Sequence, residues 1–171
     1  MTTFKAGAEH ALRRCAEVIN AAPAGPEALR AALIKYGEQV DALTADQTRA
    51  LQLSADRIRT IAAAQTLDGA CEALNGILAT CRPPRVTAHG GSPWHLHIDI
   101  HDDADWGEWF LASSAMAIAI TVADTQKPPL AICQAPGCAN TYPTPGRGRP
   151  RRYCSTTCST RARVSAHRSR A

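Results

Sequence analysis

The sequence predicts an α+β protein: a mostly helical N-terminal domain with one small β-hairpin, followed by a small cysteine-rich module that ends in a basic helix. Three observations carry that expectation. Four successive stretches before residue 82 space their apolar residues three and four apart. A single stretch, Trp94 to His101, alternates strictly. After residue 132 the composition turns to arginine, glycine, proline and cysteine.

The helices come first. From about Ala8 to Ala22, the residues Ala8, Leu12, Cys15, Ala16, Ile19 and Ala22 fall along one stripe, and Pro23 stops it. Pro26 suits a first helical turn; Leu29, Leu33, Ile34 and Tyr36 to Val40 continue the pattern, predicting a second helix over 26–41 with Gly37 weakening its last turn. Thr44-Ala45-Asp46-Gln47 has the form of a capping box, in which hydroxyl and carboxamide each satisfy an orphan backbone N–H, so a third helix should run to about Ala64. A fourth opens at Leu67 or Asp68, places Ala70, Cys71, Leu74, Ile77 and Leu78 on one face, and ends at Arg82-Pro83-Pro84.

Arg85 to His89, a Gly90-Gly91-Ser92-Pro93 turn and Trp94 to His101 read as the β-hairpin. Alternation turns Leu96, Ile98 and Ile100 toward the core and leaves His95, His97, Asp99 and His101 on the other face. Four such side chains on one face are a candidate ligand or second metal site, although a polar solvent face has the same pattern. Asp102, Asp103 and Asp105 form an acidic turn, and the apolar run Trp106 to Ala123 is expected to be the central buried helix, with Trp94, Trp106 and Trp109 in core and hinge packing. Lys127-Pro128-Pro129 then breaks the chain, which sets the expected domains at 1–128 and 129–171.

Size and charge bound the function. A chain of 171 residues with 45% hydrophobic content holds one core and a small appendage, not a large multidomain enzyme. The N-terminus lacks a basic segment followed by an apolar one, and no stretch approaches the length needed to cross a bilayer, so a soluble, cytoplasmic protein without a membrane partner is expected. The net charge of +4 is unevenly divided. Residues 133–171 contain eight arginines and no Asp, Glu or Lys, leaving 11 basic and 15 acidic side chains, a balance of −4, in residues 1–132. A polyanionic partner suits the tail and not the body.

Seven cysteines are an odd number, and in a reducing compartment clustered thiols are metal ligands before they are disulfides. Cys15, Cys71 and Cys81 are scattered through helical sequence, where a thiol serves as a small hydrophobe. Cys133, Cys138, Cys154 and Cys158 instead follow the pattern C-x4-C-x15-C-x3-C. Two close pairs joined by a loop supply the four soft donors of a tetrahedral Zn2+ site with little backbone strain, and Gly137 lets the first knuckle turn tightly. Four thiolates leave no open position for an activated water, so the site is structural. Few apolar residues lie here, and metal binding should supply the module's stability.

Around these cysteines stand Arg147, Arg149, Arg151 and Arg152 between the pairs, and Arg161, Arg163, Arg168 and Arg170 on the terminal helix. Guanidinium forks match phosphate oxygens, which makes this a candidate nucleic-acid surface. The alternatives are an RNA-binding or ribosome-associated zinc module and a protein-interaction adaptor with a purely structural finger. No nucleophile motif, phosphate-cradling glycine loop or paired-carboxylate pattern is present in the sequence, and no catalytic residue is expected.

At Cys133-x4-Cys138, Arg151-Arg152-Tyr153-Cys154, the Cys154-x3-Cys158 knuckle and the arginine-rich segment Arg161 to Arg170, the chain resembles the CGNR zinc-finger family of bacterial proteins. These combine an N-terminal ABATE domain with a C-terminal CGNR finger and are described as stress-induced transcriptional regulators. The name-giving Cys-Gly-Asn-Arg is Cys158-Ser159-Thr160-Arg161 here, and the aromatic before the third cysteine, usually tryptophan, is Tyr153. The Ser-Thr pair suits a helix start. The resemblance implies zinc at the four cysteines, DNA binding by the tail, and a body that senses a small-molecule ligand. A homodimer is compatible with DNA half-site recognition, but no seam in the sequence marks an interface.

Overall fold

Asp105 begins the helix around which the other elements are arranged. Its carboxylate accepts hydrogen bonds from the backbone N–H groups of Gly107 (2.7 Å) and Glu108 (3.0 Å), capping α5, Trp106–Thr125. The structure is a computed structural model in which residues 3–88, 93–97, 105–144 and 151–169 are described.

Four helices precede α5: α1 Thr3–Ala21, α2 Pro26–Lys35, α3 Ala45–Ala63 and α4 Leu67–Leu78, with a single 3-10 turn, Ala22–Ala24, between the first two. Helix α5 is apolar on all sides because α1, α3 and α4 pack around it; Phe110, Leu111, Ala115 and Ile118 meet Leu12, Cys15 and Ile19 of α1 and Leu51, Ala55 and Ile58 of α3 in one buried cluster. At Gly107 the α3 and α5 backbones come so close that an added Cβ would lie 2.7 Å from Ala50, and the Ser54 hydroxyl donates to the Gly107 carbonyl across the same contact (2.8 Å). The expectation that no stretch approaches bilayer length does not hold for α5, which is long and apolar enough by composition, but half of that stretch is buried inside the fold as a core helix.

A buried cation sits between α1 and α5. Arg14 donates to Glu38 Oε1 and to Ser113 Oγ, each at 2.7 Å, and its guanidinium lies 4.2 Å from the centroid of the Trp109 ring. Charge partner, hydroxyl and aromatic face together offset the desolvation of a side chain that is almost wholly covered.

The capping box forms as expected, with Gln47 N donating to Thr44 Oγ1 and Thr44 N to the Gln47 carboxamide oxygen. Helix α2 is shorter than the expected 26–41. It stops at Lys35 because Gly37 adopts φ +94°, with Glu38 N donating to Leu33 O (3.2 Å) and Gly37 N to Ile34 O (3.0 Å), a Schellman closure that glycine makes without strain.

The hairpin is short: β1 Arg85–Thr87 pairs antiparallel with β2 His95–His97 in the register Arg85↔His97, Val86↔Leu96, Thr87↔His95. Two expectations about it are overturned. Leu96 does not point into the core but is 42% exposed beside Val86 (62%), and Trp94 is 75% exposed rather than part of core or hinge packing. Alternation assigns two faces to a strand but does not say which one is covered; here the helices already cover one another and the hairpin's Leu96 face is left in solvent. Ile98, Ile100, Asp99 and His101 lie outside the described residues, as do the side chains of His95 and His97.

The chain then enters the C-terminal module through β3, Leu130–Ile132, which pairs antiparallel with β4, Thr141–Pro143, and closes with α6, Thr156–Arg168. Pro129 and Leu130 are fully buried, and Leu130 belongs to the same core cluster as α1, α3 and α5.

Candidate metal centre

The β3–β4 hairpin is also the first zinc knuckle. Cys133 follows β3 and donates its N–H to Asn140 O (2.9 Å), while Cys138 N donates to Ala135 O (3.0 Å) and Gly137 turns at φ +68° between them. That left-handed conformation is why the tight turn takes glycine. The second pair comes from the start of α6: Ser155 is the N-cap, its hydroxyl accepting from Cys158 N (3.1 Å), so Cys154 precedes the helix and Cys158 sits in its first turn. The first pair of ligands thus comes from a hairpin knuckle and the second from a helix start. Helix α6 starts earlier than the sequence suggested, and Ser159-Thr160 lie inside it instead of opening it.

The four sulfurs converge. All lie within 4.8 Å of one another, with Sγ separations of 3.8 Å for Cys138–Cys154 and 3.6 Å for Cys154–Cys158. A tetrahedron with zinc–sulfur bonds of about 2.3 Å has edges of about 3.8 Å, so the donor set and its dimensions fit zinc. No other group of three or more His, Cys, Asp or Glu is placed to hold a metal among the described residues.

Two donors aim at the sulfurs. The Cys154 backbone N–H donates to Cys133 Sγ (3.4 Å) and Arg161 Nη2 donates to Cys158 Sγ (3.2 Å). Hydrogen bonds and positive charge of this kind make four thiolates around one divalent ion easier to bear. In the absence of a cation, burial and then the neighbouring sulfurs push the Cys154 thiol up to about 12, whereas its hydrogen bond with Ser155 brings Cys158 down to about 7. Zinc supplies the charge that settles this conflict. The module's own core is small, consisting of Cys133, Ala135, Tyr142 and Cys158 with partly covered neighbours such as Tyr153 and Ala162, so metal and packing must act together.

The five arginines of this segment that lie among the described residues separate into distinct roles. Arg151 donates to Pro143 O (2.7 Å) with its guanidinium 5.5 Å from the Tyr142 ring centroid, and its own carbonyl accepts from the Tyr142 hydroxyl (2.6 Å). Arg152 Nε donates to Gln134 Oε1 (2.8 Å), and Gln134 N donates back to Arg152 O (3.0 Å). Together with Arg161 on Cys158, these three brace the zinc module itself. On α6, Arg163 reaches the exposed Thr160 hydroxyl of its own helix (3.2 Å), and Arg168 is exposed near the helix end. Arg147, Arg149 and Arg170 lie outside the described residues.

Residues from the body complete the site, and sequence reasoning missed them. Arg59 of α3 donates to Ala139 O in the knuckle (2.9 Å), and Asn20 of α1 bonds the backbone of Thr141 in β4. Thr144 Oγ1 donates to Pro128 O, tying the strand after the knuckle to the segment that leads into it. Of the other cysteines, Cys15 is fully buried in the main core and Cys71 and Cys81 are half-buried, apart from the cluster.

The fold and site define a helical body carrying a four-thiolate zinc module. More specifically, residues 130–171 match the family model described as the CGNR zinc finger, so the C-terminal module is a zinc finger of that type. The match leaves residues 1–129 outside it. No curated protein matches the chain.

Proposed function

We propose that the protein is a DNA-binding transcriptional regulator whose zinc site is structural and whose α6 supplies the contact surface. One observation carries this reading. Helix α6 is anchored at Cys158 and Ala162, and its opposite side presents Thr160, Arg163, Val164 and His167 to solvent, in a segment with no acidic side chain to repel phosphate. The zinc cluster fixes the helix root, so the cationic side chains are presented by a rigid element.

The body, with its excess of acidic side chains, gives orientation by discouraging its own approach to the polyanion. Its role as an ABATE-like sensor over 1–128, the dimeric state and a cytoplasmic location belong to the same proposal, which assigns the protein no catalytic activity.

The test is titration of zinc-loaded protein against labelled duplex DNA, single-stranded DNA and RNA hairpins at several salt concentrations. Duplex should bind best, with log affinity falling against log salt at a slope of about −4 to −5, as about five phosphate contacts require. Preference for the hairpins would move the protein to the RNA-binding class, and lack of affinity for all three would leave a structural adaptor.

A further inference from the structure

Val164 is the one large apolar side chain exposed on α6 among the described residues. It is 45% exposed in the middle of α6, lies outside the module's apolar cluster, and is less suited to a helix than the alanines beside it. Its neighbours on the exposed surface are Arg163, His167 and Arg168, so an apolar branch projects from an otherwise cationic face. Shallow hollows flank it on both sides: one of about 570 Å³ runs along Thr160, Arg163 and His167, and another of about 460 Å³ lies toward Pro136 and Arg161.

We propose that α6 enters the major groove of DNA and that Val164 packs on the C5-methyl group of a thymine, which makes it a specificity-determining residue. This deepens the DNA-binding reading and rests on it. An α-helix of 13 residues is about 20 Å long and about 10 to 12 Å wide with its side chains, which fits a groove about 12 Å across. In that groove thymine alone among the four bases presents a methyl group, and an apolar side chain is what reads it. Arg163 and His167, one position before Val164 and one turn on the same side, are placed to bond the edges of the adjoining bases. Arg151, Arg152 and Arg161 are engaged with the module's own carbonyls, carboxamide and sulfur and serve to hold the helix in position.

The experiment is selection of full-length, zinc-loaded protein on a random duplex pool, followed by binding to the selected site with each thymine replaced in turn by deoxyuridine, which deletes the methyl group and nothing else. One replacement should weaken wild-type binding about fourfold, the worth of covering one methyl group. The same replacement should leave Val164→Ala insensitive, while Arg168→Ala weakens both forms of the site equally. Alanine is a better helix former at this exposed position, so the variant folds. Two results would overturn the inference alone: duplex binding indifferent to every uracil replacement, or a Val164→Ala protein that still distinguishes thymine from uracil. Absence of duplex binding by the wild type would instead remove the reading beneath it.

Discussion

Asn20 and Thr141, 121 positions apart in the chain, meet as two strand residues would: the Asn20 carboxamide donates to Thr141 O at 2.9 Å and accepts from Thr141 N at 2.7 Å. Thr141 is almost completely buried, so these backbone groups have no recourse to water. A side chain on α1 thereby extends the hairpin that carries the first zinc knuckle and docks the finger on the body.

Asn20→Ala should therefore destabilise the protein by about 3 kcal/mol, because it leaves a buried N–H and a buried C=O unpaired. Thermal unfolding of the zinc-loaded variant should fall by about 6 to 12 °C. An unchanged midpoint would show that the finger is not held by this contact.

Removal of the metal should unfold the module and spare the body. The finger's core contains only a handful of residues around the sulfurs, whereas Phe110, Ile118, Leu51 and Leu12 form a core that needs no ion. Cys154→Ser, or chelation of the wild type, should abolish stoichiometric zinc and reduce helical circular dichroism by roughly the share of α6. Proteolysis should then cut first within 133–171; cutting spread evenly along the chain would contradict the assignment of stability.

Arg161→Ala should lower zinc affinity about 10- to 100-fold, as is typical when an outer hydrogen bond to a ligand is removed, without altering the one-to-one stoichiometry. A competition titration with a coloured chelator measures this directly. Arg163→Ala, whose guanidinium is on the exposed side of the same helix, should leave zinc affinity unchanged.

Cys15 sets a pH dependence at the other end of the molecule. Burial pushes its thiol up from 9.0 to about 12, with smaller opposing contributions from Ser114 and Arg14. The folded state keeps the proton that the unfolded chain loses near pH 9, so this contribution to stability is whole below pH 9 and declines as pH rises toward 12. In chelator-treated protein, Cys15→Ala should flatten that decline, and in the native wild type Cys15 should resist alkylation until the body unfolds. Rapid native labelling of Cys15 would contradict its burial.

The zinc ligands could be identified without coordinates because ligand chemistry is local. Two close cysteine pairs can meet whatever the rest of the chain does, and Gly137 marks the turn that lets the first pair close. Helices α1, α3, α4 and α5 were legible for a related reason: capping at Thr44 and breaks at Pro23 and Pro83 act within a few residues. The exposed Leu96 and Trp94 were not, since periodicity defines faces and only packing chooses which is covered.

Charge composition likewise assigned all eight tail arginines to one surface, and tertiary structure divided the five that lie among the described residues. Arg151, Arg152 and Arg161 found acceptors at Pro143, Gln134 and Cys158, while Arg163 and Arg168 kept their place on the open side of α6. The amino-acid order alone determined that this chain gathers four thiolates beside a cationic segment. Arg161 reaches Cys158 from three positions along the same helix, but how Asn20 and Arg59 fasten the finger to the body depended on atoms from distant positions arriving within 3 Å, a proximity that no local rule encodes.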